Sequence, residues 1–159
     1  MGKEVFRNFQ LPTVSEGTRM IMTASMCLAL NVFFEARHEP ITGQIAVAEV
    51  TLNRVADSRY PDTVCGVVWD KNQFSWTHDG VHDDPSRMSY LDQQAWVDIL
   101  ELSSAVLDGT VKLGVTGTHY HANSIRKPFW ANHYNYDGQI GGHLFYTNET
   151  PYKYLLTSS

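Results

Sequence analysis

A chain of 159 residues that is 43% apolar and 18% charged is the size of one domain with a core of its own, and it is too apolar to be a disordered segment. Twelve basic residues against seventeen acidic ones give a net charge of −5, which excludes the clustered cations that non-specific nucleic-acid binding needs. Two cysteines exclude a disulfide-rich scaffold and a four-thiolate zinc site, and the 12% of aromatic residues supply either core or flat walls for sugars and bases.

Residues 1–12 read as a loosely ordered lead-in to a single domain spanning 1–159. Thr13-Val14-Ser15-Glu16 has capping-box spacing. The uncharged run from Met20 to Phe34 is shorter than the ~20 apolar residues of a membrane span, and no small-residue cleavage site follows it. It predicts a buried helix over 23–37, with Ala24, Leu28, Asn31 and Glu35 on one stripe. Pro40 ends it. A second helix is expected over 43–56, capped by Thr42, with Ile45, Ala48, Leu52 and Val55 inward. A short turn or helix follows Pro61, and 70–88 reads as a long loop. A third helix is predicted over 90–107, capped by Ser89 with Asp92 at N3 and ended by Gly109. Its apolar stripe is Leu91, Ala95, Ile99, Leu102 and Val106. Short strands are expected near 115–121 and 143–147. The result is a mainly α (α+β) domain whose C-terminal third holds a few short strands. Cys27 and Cys65 read as two reduced, buried thiols; a bridge between them is an open alternative that the sequence does not support.

Glu35 is the first candidate for chemistry. A carboxyl at the end of an apolar helix is partly desolvated, which raises its pKa, and a carboxylic acid protonated near neutral pH is what general-acid cleavage of a glycosidic bond requires. The alternative is an ion pair with Arg37 or Arg54. Glu39 reads as a solvated acid near the start of the next helix. Glu49 falls on an apolar face, so it is either hydrogen-bonded, with Asn53 as the expected partner, or lines a cleft; both glutamates are candidates for a second acid. His119 and His121 would share a strand face, and with His143 they have the ligand types of a catalytic zinc. Gln73-Phe74-Ser75-Trp76 and Phe129-Trp130 set rings beside hydrogen-bonding groups, a combination suited to sugars.

Four ordered blocks carry a resemblance. They are Glu35-Ala36-Arg37-His38-Glu39-Pro40 with Gly43-Gln44-Ile45-Ala46-Val47-Ala48 and Leu52-Asn53-Arg54-Val55; then Thr63-Val64-Cys65-Gly66-Val67-Val68; then Gln73-Phe74-Ser75; and Thr118-His119-Tyr120-His121 with Trp130-Ala131 and the run 140–146. Together they resemble the cell-wall hydrolases typified by spore-cortex-lytic germination enzymes, a block set shared with phage lysis enzymes. The resemblance implies a lysozyme-like fold and peptidoglycan glycan strands as substrate. It implies Glu35 as the acid/base that cuts between N-acetylmuramic acid and N-acetylglucosamine, as in a lytic transglycosylase or muramidase, without cofactor.

By the same resemblance Gln73, Ser75, Tyr120, His121 and Trp130 would position the sugars. His38 replaces a usual Gly, and Glu49 a usual Ala. A bare catalytic domain with no evident export signal is similar to an endolysin: a monomer without stable membrane association, gathering in the host cytoplasm and reaching the periplasm and wall at lysis. Two other readings compete. One is a zinc-dependent N-acetylmuramoyl amidase using His119, His121 and His143; the other is a non-catalytic murein-binding module.

Overall fold

In a computed structural model of the chain, residues 22–70 and 89–148 are described. Helix α1, Ala24–Ala36, is the hub: it packs on α2 (Ile41–Ala56), α3 (Val64–Val68) and α4 (Tyr90–Leu107). Leu28, Val32 and Phe33 of α1 are fully buried among Val47 and Val50 of α2, Val67 and Val68 of α3, and Trp96 and Ile99 of α4. Phe145 closes the core from the sheet side, and Trp96 meets Phe33 edge to face at 5.7 Å. Among the described residues no helix is long and apolar enough to cross a membrane.

The helix ends follow local chemistry. The Thr23 hydroxyl accepts from the Met26 amide to start α1, and the Thr63 hydroxyl accepts from the Gly66 amide to start α3. Ser89 caps α4, accepting from the Asp92 amide at 3.2 Å while its hydroxyl donates to the Asp92 carboxylate at 3.0 Å. Helix α2 begins earlier than expected, directly after Pro40, and Thr42 lies inside it without capping. Pro40 itself occupies the N-cap position, and no side chain caps this helix start. The stripe read for α4 also shifts: Leu91 is exposed, and Trp96 and Ser103 are buried with Ile99 and Val106.

The sheet has three antiparallel strands in the order β1-β3-β2: β1 is His119–Ala122, β2 is Asn135–Ile140 and β3 is His143–Thr147. Strand β2 has no clear sequence signal, because its residues are mostly exposed and a register shift falls between Tyr136 and Gly138. Pairing of Tyr120 with Phe145 and of Ala122 with His143 puts those four side chains on one face. His119, His121, Leu144 and Tyr146 occupy the other.

Cys27 and Cys65 form a disulfide joining α1 to α3, with Cα atoms 5.2 Å apart, so the reading of two reduced thiols is corrected. Packing of both residues against one core seam brings them together across 38 residues of sequence, a juxtaposition that spacing alone does not reveal.

Two polar residues of α2 fasten the stretch leading to β1. Glu49 is almost fully buried, and its carboxylate accepts from the backbone amides of Leu113 (2.8 Å), Gly114 (3.1 Å) and Val115 (2.8 Å). Asn53 donates to the carbonyls of Val115 (2.7 Å) and Gly117 (2.9 Å). Glu49 therefore bonds the loop rather than Asn53, and its oxygens are occupied, which removes the basis for a second acid at this position. Glu49→Ala strands three amides and is expected to cost about 2–4 kcal/mol, read as a lower urea midpoint with an unchanged slope.

Candidate active site around Glu35

Four side chains from three elements meet at the C-terminal end of α1. Asn31 and Glu35 lie one turn apart on α1, Arg54 comes from the last turn of α2, and Tyr120 from β1. Asn31 is fully buried and donates to the Thr51 hydroxyl at 3.3 Å, which fixes α1 against α2. Arg54 is also buried; its Nε donates to the Thr118 carbonyl at 2.7 Å, and its guanidinium lies 5.5 Å from the Tyr60 ring centroid. That bond places β1, and Tyr120 with it, beside the helix pair.

Burial pushes the Glu35 carboxyl above its usual range. A hydrogen bond from Tyr120 and the charge of Arg54 oppose the shift but do not cancel it. The Tyr120 hydroxyl is buried and no contact it makes reaches full hydrogen-bond geometry, so its bond to Glu35 is weak and desolvation prevails. Burial and the neighbouring carboxylate in turn hold the Tyr120 hydroxyl protonated, well above the ordinary phenol range. The outcome is a carboxylic acid that keeps its proton to higher pH than a solvated glutamate, next to a phenol that keeps its own proton and can donate it in a hydrogen bond.

Tyr120→Phe removes an interaction that favours ionised Glu35, so the pKa of Glu35 rises further. The expected result is an alkaline limb of the pH–activity profile displaced to higher pH. Little stability should be lost, since the missing hydroxyl was poorly bonded.

Glu39 has a different post. Its carboxylate accepts from the Gly142 amide at 2.8 Å and sits 3.8 Å from His143 Nδ1. A Cβ on Gly142 would come within 2.7 Å of a Glu39 oxygen, and Gly141 has a φ of +58°, so the Gly-Gly turn between β2 and β3 is shaped around this carboxylate. The expectation of a solvated acid is corrected for Glu39: of the three glutamates weighed for chemistry, Glu39 and Glu49 are bonded to backbone amides. The paired glycines are the sequence signal for this contact. Arg37, the other cation considered for Glu35, instead pairs with Asp92 at 3.2 Å and lies 4.9 Å from the Phe33 ring centroid.

The expected sugar-positioning residues do not stay together. Tyr120 stands at Glu35. His121 and Trp130 lie on the opposite face of the sheet, because successive strand residues alternate sides. His121 is locked there, with Nδ1 2.9 Å from the Ala122 carbonyl and Nε2 3.0 Å from the Tyr146 hydroxyl. Gln73 and Ser75 lie outside the described residues.

Residues 38–146, more than half of the chain, match the family described as Cell Wall Hydrolase. The chain belongs to that family. It is similar to the spore cortex-lytic enzyme of Oceanobacillus iheyensis, 47% identical over 53 residues, 33% of this chain and 19% of the relative. The spore cortex-lytic enzyme of Halalkalibacterium halodurans is 41% identical over 69 residues, 41% of this chain and 21% of the relative. The chain thus spans about a fifth of the length of these curated relatives. The catalytic domain of the Bacillus cereus SleB protein superposes with a TM-score of 0.56 at 24% identity, covering 82% of this chain and 94% of that one. That of the germination-specific lytic transglycosylase SleB from Bacillus anthracis gives 0.58 at 26% identity, covering 84% and 100%. The helix-rich fold with its small antiparallel sheet is therefore shared with the SleB catalytic domain.

Within this cell wall hydrolase the three-histidine zinc reading fails on geometry. His143 shares a face with Tyr120, whose ring it meets edge-on at 5.1 Å, whereas His119 and His121 point the other way. Three nitrogens on two sides of one sheet cannot converge on a tetrahedral ion. Exhaustive chelation is accordingly expected to leave wall-degrading activity unchanged, measured as the rate of turbidity loss of purified walls.

Proposed function

We propose that this domain cleaves peptidoglycan glycan strands between N-acetylmuramic acid and N-acetylglucosamine, as a lytic transglycosylase, with Glu35 as the acid/base. The observation that carries the reading is the desolvated Glu35 carboxyl beside Tyr120 and Arg54, combined with the commitment of Glu39 and Glu49 to backbone amides elsewhere. The likeness to spore cortex-lytic enzymes and to the germination-specific lytic transglycosylase of Bacillus anthracis supports the reaction class. The Cell Wall Hydrolase match begins at residue 38, so the role of Glu35 rests on its environment and on the sequence resemblance.

One acid suffices for the reaction. Protonated Glu35 gives its proton to the glycosidic oxygen as the bond to the muramic C1 breaks, and the sugar that leaves carries that proton on its new hydroxyl. The carboxylate so formed takes the proton of the muramic 6-hydroxyl, whose oxygen closes on C1 to give the 1,6-anhydro ring. Glu35 ends protonated and no water is consumed. Ordinary hydrolysis by a carboxylate pair needs a second acid within about 5–10 Å.

Mass spectrometry of digested murein is the test. Anhydro-muropeptides are expected; reducing muramic acid would replace transglycosylation with hydrolysis, and free peptides would replace both with amidase chemistry. We assign the working location to the wall after passage out of the host cytoplasm, as in host cell lysis. The Cys27–Cys65 bridge supports work in an oxidising compartment, while the relatives named above are spore enzymes.

A further inference from the structure

The sheet face opposite Glu35 holds rings that the reaction does not use. Trp130 meets Tyr146 edge to face at 5.3 Å and Tyr134 at 5.4 Å, and Tyr136 lies 5.5 Å from Tyr146. His119 backs them, 5.1 Å from Trp130. Two rings at this end of the fold stand out into solvent: Phe129 is 80% exposed and Tyr136 56% exposed. Phe129 adjoins Trp130 in the chain and packs on His133 at 4.8 Å, and Tyr136 shares Tyr146 with Trp130; exposed apolar patches of this kind mark interaction sites.

The charge of this region also departs from the rest of the chain. Between 119 and 147 the only fixed charges are Arg126, Lys127 and Asp137, so the segment is locally cationic in a chain of net charge −5. Arg126 and Lys127 are exposed and directly precede Pro128-Phe129-Trp130. Burial holds the His119 ring neutral, with a pKa of about 4 and Arg54 and Arg59 adding to the effect.

We propose that this outer face, Phe129, Trp130 and Tyr136 flanked by Arg126 and Lys127, is a second murein-binding surface that grips a neighbouring glycan strand of the meshwork being cut. The apolar faces of pyranose rings stack on exposed aromatic side chains, and tyrosine keeps a hydroxyl for the sugar's own hydroxyls. The stem peptides of murein carry carboxylates, which complement the two cations. A second contact on the same polymer raises the effective concentration of substrate at Glu35 without touching the chemistry. The inference rests on the proposed substrate; its test separates the two.

Two double variants are made in the full chain, Phe129→Ala with Tyr136→Ser and Arg126→Ser with Lys127→Ser. Each is assayed on insoluble murein sacculi and on a soluble four-sugar murein fragment that fills only the Glu35 side. Both variants should cleave the fragment at the parental rate. On sacculi, the substrate concentration for half-maximal cleavage should rise about tenfold. The loss in the charge variant should vanish at high salt, where screening already removes its contribution in the parent. Parental behaviour of both variants on sacculi, or an equal loss on fragment and sacculi, overturns the inference, as does a dimer of the parent that the aromatic variant abolishes. If the parent cleaves neither substrate, the proposed function itself falls.

Discussion

Replacing Glu35 with Gln is expected to abolish measurable release of muropeptides while leaving the fold intact. General acid–base catalysis is worth about 10²–10⁴-fold, and here one group serves both proton transfers, so the loss should reach the upper end of that range. Gln has the size and an acceptor for Tyr120, and it needs no counter-charge. Its effect on stability has a definite sign. The folded pKa of Glu35 lies above its unfolded value, so its contribution is present at pH below the unfolded pKa and is lost as pH rises through the folded one. The parent should therefore lose stability over that window, and the variant should not. At neutral pH the variant should be at least as stable as the parent by chemical denaturation. In activity, the parent's rate should fall as pH rises through the same pKa, because the acid form is consumed. Undiminished muropeptide release by a folded Glu35→Gln protein would place the acid elsewhere.

How much of this is legible in the sequence depends on whether a feature is local. Helix α4 appears over its expected span because its cap and its closing glycine are adjacent signals, with Gly109 at a φ of +81°. The end of α1 and the desolvation of Glu35 also follow from one stripe and one proline. The features that sequence reasoning misses are long-range. Glu49 reads as a misplaced charge until residues 113–115 are folded onto it. Glu39 looks solvated until the turn at 141–142, a hundred residues away, closes over it. His121 and Trp130 group with Tyr120 when only their shared sequence blocks are considered, yet a strand sends neighbouring residues to opposite sides. The same alternation dismantles the zinc site and creates the outer aromatic face. Motif proximity thus locates the segments, and the period of the strand decides which residues work together.

The Cys27–Cys65 bridge gives the second large effect. It crosses from the hub helix α1 to α3 and closes a loop of 38 residues that includes all of α2. In the chain-entropy account, a loop of this length constrains the unfolded state by about 3–4 kcal/mol. Cys27 itself is fully buried in the core, so the isosteric Cys27→Ser with Cys65→Ser would add the cost of a buried hydroxyl, and Cys→Ala at both sites is the cleaner change. The double alanine variant is expected to lose about 2–4 kcal/mol, which for a domain of this size lowers the melting temperature by about 10 °C. Reduction of the parent should reproduce the loss, and the double variant should be indifferent to reductant, which separates the bridge from the side chains that make it. Cleavage rates well below the melting transition should survive in both cases, because α1 holds Glu35 two turns beyond Cys27 through its own contacts with α2 and α4. Equal melting temperatures for oxidised and reduced parent would show that the two sulfurs do not constrain the chain in solution.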